Sequence, residues 1–246
     1  MAEEMPVDRT VLALQGVVKR FGPRTALAGL DLSLRPGEVF ALLGPNGAGK
    51  TTTINLILGF LRADAGTVRV RGVDAGADPV GARAHVAYIP EQVALYPTLS
   101  GLENLRYIAT LAGLDLPKTE GRALLAEAGL GADAHDRPAG AYSKGMRQKV
   151  GIAIALARRA GLLLLDEPTS GLDPGAAAEF SGTVRAAAAR GSAVLMATHD
   201  LYRVREMADR VGVLGAGRIV EEIDPRSLDH LALERLYIER LAGNAA

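Results

Sequence analysis

The sequence predicts an α/β fold with a mainly parallel sheet, an antiparallel β-subdomain and an inserted helical subdomain. An apolar run at residues 39–43 leads through a glycine-rich loop into a helical pattern from Thr51 to Phe60. This succession is typical of a buried parallel strand followed by its helix. Residues 162–214 alternate strand and helix patterns, as a parallel sheet requires. Residues 99–159, between these two parts, have helical periodicity and no strand pattern.

The first part of the chain predicts short strands joined by tight turns. Strands are indicated at residues 11–14 and 30–34, with a turn at Gly22-Pro23. Residues 67–71 alternate apolar and polar side chains, which is the pattern of a half-exposed strand. We therefore expect these strands to form an antiparallel layer beside the parallel sheet.

The remaining patterns divide the chain into parts of one domain. Further strands are predicted at residues 86–90, 162–165, 193–197 and 210–214, and helices at residues 175–189 and 200–208. We assign a core with its β-subdomain to residues 1–98 and 160–224, the helical subdomain to residues 99–159, and a short C-terminal helical tail to residues 225–246.

The composition argues against several kinds of function. The 246 residues have a formal net charge of +0, so no overall basic field attracts nucleic acid, and we expect no nucleic-acid partner. Cysteine is absent, which excludes disulfides and thiol chemistry. Residues 1–9 lack the apolar core of a signal peptide, and no apolar run approaches the roughly 20 residues of a membrane span. We expect a cytoplasmic protein that cannot cross a membrane by itself.

The glycine-rich loop after residues 39–43 fits the pattern G-x-x-x-x-G-K-[ST] of a phosphate-binding loop. Its glycines let the backbone approach an anion, and the N–H groups at the start of the next helix face that anion. Lys50 adds a positive charge, and the Thr51 hydroxyl is placed to bind Mg²⁺. The sequence therefore predicts a P-loop NTPase fold that binds a nucleoside triphosphate through Gly44, Pro45, Asn46, Gly47, Ala48, Gly49, Lys50, Thr51 and Thr52.

Further candidate site residues lie outside the loop. Asp166 and Glu167 end a fully apolar strand, and ligands of open α/β sheets bind at such strand ends. We expect Asp166 to hold Mg²⁺ and Glu167 to polarise the attacking water. Gln92 can bind Mg²⁺ or orient that water, and His199 can donate to a γ-phosphate oxygen, although each is also compatible with an ordinary structural role. Phe21 can stack on a base or serve as a core or turn aromatic.

An ordered set of motifs indicates a family. The segment Tyr142-Ser143-Lys144-Gly145-Met146 lies between Gln92 and the Asp166-Glu167 pair. With the phosphate loop before it and His199 after it, this order resembles the nucleotide-binding subunits of ABC (ATP-binding cassette) transporters over residues 11–222. Signature segments of that family usually read Leu-Ser-Gly-Gly-Gln. The present variant looks like those of subunits that serve exporters with separately encoded permeases, the ABC-2 type.

The resemblance implies ATP and Mg²⁺ as cofactors and a head-to-tail dimer, either a homodimer or a heterodimer, with two ATP molecules between the subunits. Asp173 of the D-loop would cross the interface. Lys144 can add a charge near the phosphates or point to solvent, and we favour solvent. Each ATP would contact the phosphate loop of one subunit and the signature of the other, formed by Ser143, Lys144, Gly145 and Met146.

The resemblance also implies a role in transport. Hydrolysis by Glu167, with Gln92 and His199, would drive a separate integral membrane permease, an exporter. The subunit would then lie at the inner face of the cell membrane and touch it only through the permease. Candidate apolar contacts are Tyr96, Leu99 and Leu102, although each could equally belong to the core. The alternative is a soluble single-cassette ATPase with a non-transport role such as cofactor assembly.

Overall fold

Two β-sheets form the framework of the computed structural model, which describes residues 10–242. Residues 1–9, for which we expected no signal peptide, and residues 243–246 lie outside the described part. The strands are β1 (Leu12–Phe21), β2 (Arg24–Leu34), β3 (Val39–Leu43), β4 (Ala65–Val70), β5 (Val73–Asp74), β6 (Val86–Ile89), β7 (Leu162–Asp166), β8 (Ala193–Thr198), β9 (Arg210–Gly215) and β10 (Arg218–Ile223).

The smaller sheet is antiparallel, with the strand order β2-β1-β4-β5. Leu12 pairs with Leu34 of β2 on one side and with Val70 of β4 on the other. Strands β1 and β2 are longer than the sequence predicts. Their pairing is interrupted by register shifts, which break the simple alternation on which the sequence pattern depends.

The larger sheet has six strands in the order β10-β9-β3-β8-β7-β6. All neighbouring pairs are parallel except β9 and β10, which form an antiparallel hairpin at the edge. Leu43 at the end of β3 pairs with Thr198 at the end of β8, and Asp166 at the end of β7 pairs with Ala197. The carboxyl ends of these three strands are therefore level with one another.

Eight α-helices complete the described part of the chain. Together, the two sheets and these helices confirm the predicted α/β fold, although the sequence analysis missed α2, β5 and β10. The helices are α1 (Lys50–Ile57), α2 (Pro79–Ala84), α3 (Gly101–Leu111), α4 (Lys118–Glu127), α5 (Lys144–Ala157), α6 (Pro174–Ala189), α7 (Leu201–Met207) and α8 (His230–Ala242). No helix among the described residues is long and apolar enough to cross a membrane.

Residues 99–159, all of which are described, contain α3, α4, α5 and two short 3₁₀ turns, and no strand. The three helices pack on one another, and α5 also contacts β6 of the larger sheet. Ser100 caps α3 in a capping box with Glu103, because each side chain accepts a hydrogen bond from the other residue's backbone N–H. Through α5, this segment packs beside β6, an edge strand of the larger sheet.

The larger sheet is covered on both faces. Phe40 and Leu42 of β3 pack with α1 and the antiparallel sheet, whereas Val39, Ala41 and Leu43 pack on the opposite side with α5 and α6. Burial on both faces explains why the sequence of β3 is continuously apolar rather than alternating. The strand ends that carry the candidate site are therefore anchored in a rigid core.

Candidate active site

The candidate site begins at the aligned carboxyl ends of β3, β7 and β8. Gly44, Glu167 and His199 are the first residues beyond these strands. The Gly44 N–H donates to the Thr198 carbonyl oxygen over 3.2 Å, and the Glu167 N–H donates to the Ala197 carbonyl oxygen over 2.8 Å. The backbone beyond the sheet is thus fixed, and it brings three segments that are distant in sequence to one edge.

The phosphate loop needs glycine at defined points. Gly49 precedes α1 with φ 116°, a left-handed conformation that side chains rarely adopt. A Cβ there would lie 2.7 Å from Leu27 Cδ2 and 2.8 Å from the Ala26 carbonyl oxygen. A Cβ on Gly44 would lie 2.8 Å from the Leu214 carbonyl oxygen. These glycines let the loop pack closely against β2 and β9 while its N–H groups stay open to an anion.

Lys50, the first residue of α1, is buried and reaches back over the loop. Its Nζ donates to the carbonyl oxygen of Gly44 over 2.6 Å and to that of Pro45 over 3.3 Å. The same Nζ lies 3.4 Å from Glu167 Oε1. A buried ammonium held among acceptors at the loop is a charge available to an anionic ligand.

Glu167 has four polar contacts. Its Oε1 lies 2.9 Å from His199 Nδ1 as well as near Lys50, and its Oε2 accepts a hydrogen bond from the Thr198 hydroxyl over 3.1 Å. The His199 N–H also donates to Oε2, over 3.4 Å. Burial would raise the pKa of Glu167, but the His199 hydrogen bond and the Lys50 charge outweigh it and lower the pKa. Glu167 is therefore ionised at neutral pH.

The backbone of Glu167 is strained. Its φ of 44° lies in the left-handed region that favours glycine. Such conformations cost free energy and occur most often at functional sites. In this conformation the Glu167 side chain reaches Lys50 of the phosphate loop.

Asp166 lies beside Glu167 in a different environment. Burial, with a smaller contribution from the Glu167 charge, raises the pKa of Asp166. The hydroxyl of Tyr88 donates to Asp166 Oδ2 over 3.5 Å, and burial together with the Asp166 charge raises the pKa of Tyr88 to about 12. Two neighbouring carboxylates thus have pKa values displaced in opposite directions, a pattern associated with catalytic sites.

These residues surround a cavity of about 300 Å³ at the strand ends. Phe21 is 46% exposed on the rim, which leaves its ring face available for stacking. Arg24 also lines the cavity and donates to the Gly47 carbonyl oxygen over 3.0 Å. No motif in the sequence indicated this residue. The lining consists of Phe21, Arg24, Ala26, Pro45, Asn46, Gly47, Gly49, Lys50, Thr51, Thr52, Glu91, Asp166 and Glu167.

Gln92 is not brought to this cavity. Its side chain is exposed, and the residue that lines the cavity is its neighbour Glu91. The difference arises after Ile89, where β6 ends and Pro90 redirects the chain. The strand pattern indicated the correct loop, but it could not indicate which residue of the loop turns inward.

The signature segment lies outside the cavity lining. Ser143 is exposed and caps α5, with its Oγ accepting from the Met146 N–H over 3.2 Å. Gly145 is buried in the first turn, and Met146 Sδ accepts from Arg137. Lys144, which we expected to point to solvent, is 26% exposed and its Nζ lies 3.6 Å from Glu91 Oε1. That expectation was wrong, because an acidic partner lies within reach.

The D-loop joins β7 to α6. Asp173 is exposed and caps α6, with its side chain accepting from the Ala176 N–H over 2.9 Å. Gln148 of α5 is buried and donates to the Pro168 carbonyl oxygen. This contact ties the signature helix to the segment that follows Glu167.

A second cavity of about 540 Å³ adjoins the first beyond Glu167. His199 lines it, as does the D-loop from Thr169 to Leu172. The imidazole of His199 is 58% exposed. With Nδ1 directed at Glu167, its other ring nitrogen is available to a ligand on the open side.

The apolar residues suggested as permease contacts differ in exposure. Leu102 is 3% exposed and belongs to the core, so it cannot contact a partner. Tyr96 is 52% exposed, and its ring packs edge-on against Tyr107, with 5.0 Å between the ring centroids. Leu99 is intermediate in exposure.

The cavity lining includes oxygen groups that fit a metal ion. Asp166, Glu91 and the exposed Thr51 hydroxyl are hard oxygen ligands on one cavity wall, which suits Mg²⁺. Within residues 10–242, however, no three His, Cys, Asp or Glu side chains lie close enough together to hold a metal ion. Proteins usually bind Mg²⁺ by one or two carboxylates together with substrate phosphates.

Comparison with known proteins identifies the family. A family model described as ABC transporter matches residues 27–170. The linearmycin resistance ATP-binding protein LnrL of Bacillus subtilis (strain 168) is 35% identical over 212 residues, which are 85% of this chain and 68% of that protein. The daunorubicin resistance ATP-binding protein DrrA3 of Streptomyces coeruleorubidus is 38% identical over 215 residues, which are 87% of this chain and 68% of that protein.

Solved structures agree in fold over nearly the whole chain. A structure described as the ATP-binding subunit of an ABC transporter superposes with a TM-score of 0.81 and 31% identity, and the match covers 94% of this chain and 99% of that one. An ATP-binding cassette of an ABC transporter in its ADP conformation gives a TM-score of 0.79 and 26% identity, covering 95% and 97%. The chain belongs to the ABC transporter family, in which it is an ATP-binding subunit that hydrolyses ATP.

Proposed function

We propose that this chain is the energy-coupling subunit of an exporter, pairs with a second cassette around two ATP molecules, and drives a separate membrane permease. The similarity to ATP-binding proteins named for linearmycin and daunorubicin resistance supports the exporter assignment. A relative named as the Nod factor export ATP-binding protein I of Ralstonia nicotianae, 36% identical over 220 residues, supports it as well. The proposed location is the inner face of the cell membrane.

The chemistry that we infer is hydrolysis of the γ-phosphate by water. Lys50 and the loop N–H groups would hold the phosphates, and Phe21 would stack on the base. Glu167, ionised through its contacts with Lys50 and His199, would accept the proton of the attacking water at a carboxylate oxygen. His199 would turn its free ring nitrogen to a γ-phosphate oxygen.

Magnesium is proposed as the cofactor, with Thr51 and Asp166 as the residues that would hold it. When bound, Mg²⁺ neutralises charge on the phosphates. Burial raises the pKa of Asp166, and a positive charge beside this carboxyl group would favour its ionised form. Gln92 stays a prediction without support, since its side chain lies outside the cavity lining.

The observation that carries the dimer proposal is the location of the signature. Ser143 and Gly145 stand at the N-terminus of α5, a suitable place for a phosphate, yet none of the residues 143–146 lines the cavity of its own chain. A second copy would bring its own signature to this cavity. Asp173, exposed at the start of α6, would then lie at the interface.

Purification of the Glu167→Gln variant from gently solubilised native membranes, with ATP and Mg²⁺ present, tests the proposal. We expect a polytopic membrane protein to co-purify in equal amount. Tyr96→Glu is the matched variant, because it places a charge on the exposed face proposed for the permease and leaves the nucleotide cavity intact. Recovery from the soluble fraction with soluble partners would contradict the transport role and favour the assembly-type ATPase.

A further inference from the structure

Glu91 connects three segments of the chain that the motifs treat separately. It lines the nucleotide cavity, directly after β6 and Pro90. Its Oε1 lies 3.6 Å from Nζ of Lys144, the first residue of α5, and accepts a hydrogen bond over 3.1 Å from Oγ of Ser170 in the D-loop. One carboxylate oxygen therefore joins the cavity wall, the signature helix and the D-loop.

The charges around the cavity make this connection sensitive to a ligand. Glu91, Asp166 and Glu167 place three carboxylates on its wall, against the two cations Lys50 and Arg24. Lys50 is committed to Glu167 and the loop carbonyl groups, so Lys144 is the cation that balances Glu91. Any added cation at the cavity would compete with Lys144 for the Glu91 carboxylate.

We propose that the Glu91 carboxylate has two alternative sets of partners: Lys144 and Ser170, or the magnesium ion of a bound nucleotide, which it would hold together with Thr51 and Asp166. A divalent cation held directly by a carboxylate repels an ammonium group that is 3.6 Å from the same oxygen. Binding of the magnesium–nucleotide complex would therefore release the Lys144 side chain, in the first turn of α5, from Glu91. This inference rests on the proposed function, since it requires nucleotide and metal in this cavity.

The consequence concerns the signature. Released from Glu91, Lys144 carries its charge on the first turn of α5, beside the N-terminus that we propose to meet the nucleotide of the partner subunit. Binding of nucleotide in the cavity of one chain would thus free the signature of that chain to contact the nucleotide in the cavity of the partner subunit. A signature with glycine in place of Lys144 would have no such ion pair to release.

The test is equilibrium binding of a fluorescent ADP analogue to the full chain and its Lys144→Met variant, in Mg²⁺ and in EDTA. ADP is chosen because it lacks the γ-phosphate, so neither hydrolysis nor ATP-driven pairing contributes. Removing Lys144 frees Glu91 for the metal, and we expect affinity in Mg²⁺ to rise about two- to fivefold, the range set by a partly exposed ion pair. In EDTA we expect affinity to fall, because a nearby positive charge is lost.

Two variants serve as controls. Lys118→Met removes the same charge from the first residue of α4, an exposed site outside the cavity, and should leave both affinities unchanged. In a Glu91→Gln background, Lys144→Met should no longer raise the affinity in Mg²⁺. A fall or no change of affinity in Mg²⁺ for Lys144→Met, with Glu91 present, would overturn the inference. Normal binding by Lys50→Ala would instead overturn the nucleotide site itself.

Discussion

The phosphate-loop region and the signature region of this chain are built in opposite ways. Lys50 and Glu167 are largely buried, and their partners are fixed by the aligned ends of β3, β7 and β8. Ser143 and Lys144 stand at an exposed helix terminus, and Lys144 is held by one ion pair with Glu91. The first region is assembled within one chain, whereas the second offers groups that its own cavity does not use.

This difference indicates that the phosphate-loop region serves nucleotide binding and that the signature region serves turnover. A cavity lined by buried, paired charges is pre-organised and can bind a nucleotide without help. The N–H groups at an exposed helix N-terminus remain hydrated until a phosphate of the other subunit binds them. They therefore cause no desolvation penalty in the unpaired chain. We therefore expect changes in the first region to affect an isolated subunit, and changes at Ser143, which has no contact with its own cavity, to affect only the pair.

Glu167→Gln should have the largest effect on hydrolysis. The amide keeps the size of the side chain but cannot accept the proton of water, and loss of a general base costs about 10²- to 10⁴-fold in rate. Nucleotide binding should persist, because Lys50 and the loop stay in place. ATPase assays with parallel binding measurements check both halves of this expectation. Turnover within a few-fold of the parent would remove Glu167 from its role.

Lys50→Ala should weaken nucleotide binding itself. The substitution removes a buried ammonium group that faces the loop, and hydrogen bonds to charged groups contribute about 1.5 to 3 kcal/mol, which corresponds to about a 10- to 150-fold loss of affinity. Titration with a fluorescent nucleotide measures the loss. Retained affinity would contradict the assignment of the loop.

Ser143→Glu should separate turnover from binding. A carboxylate at the start of α5 would repel a phosphate approaching from a second subunit, and we expect ATPase activity to fall about tenfold or more. Binding of nucleotide to the isolated chain should not change, because Ser143 does not line its own cavity. If nucleotide binding by dilute, unpaired protein fell to the same extent as turnover, the claim that the signature region acts only in the pair would be contradicted.

The smallest of these effects is that of Asp166→Asn on the stability of the chain without nucleotide or metal. Burial raises the pKa of Asp166 above its ordinary value of 3.8, so the ionised side chain destabilises the folded chain. The penalty is absent below about pH 3.8 and grows as pH rises through the raised pKa. Asp166→Asn should therefore raise the free energy of unfolding at neutral pH, and the gain should vanish on acidification. A pH series of urea denaturation, without nucleotide, measures it.

The sequence predicted the rigid part of the site well. Gly44, Lys50, Asp166 and Glu167 follow strongly apolar strands, and the ends of neighbouring parallel strands meet at one edge by the geometry of the sheet. Local patterns therefore sufficed to bring these residues together. The fold class followed from the same alternation of strands and helices.

Contacts that depend on loop paths could not be predicted. The path of the chain after Pro90 determines that Glu91, and not Gln92, lines the cavity. The periodicity of apolar residues contains no information about such a loop path. The contact of Lys144 with Glu91 joins segments far apart in sequence and depends on the packing of α5. Arg24 reaches the loop only because it lies opposite Phe21 in the β1–β2 hairpin.

The two regions can be tested together by mixing two inactive variants. Lys50→Ala carries a damaged loop and an intact signature, and Ser143→Glu carries the reverse. A mixed pair would contain one site in which both parts are intact, so ATPase activity should return on mixing, up to about the share expected from random pairing. Activity that stays at the level of the separate variants, with pairing verified by sedimentation, would contradict the claim that each signature completes the site of the other subunit.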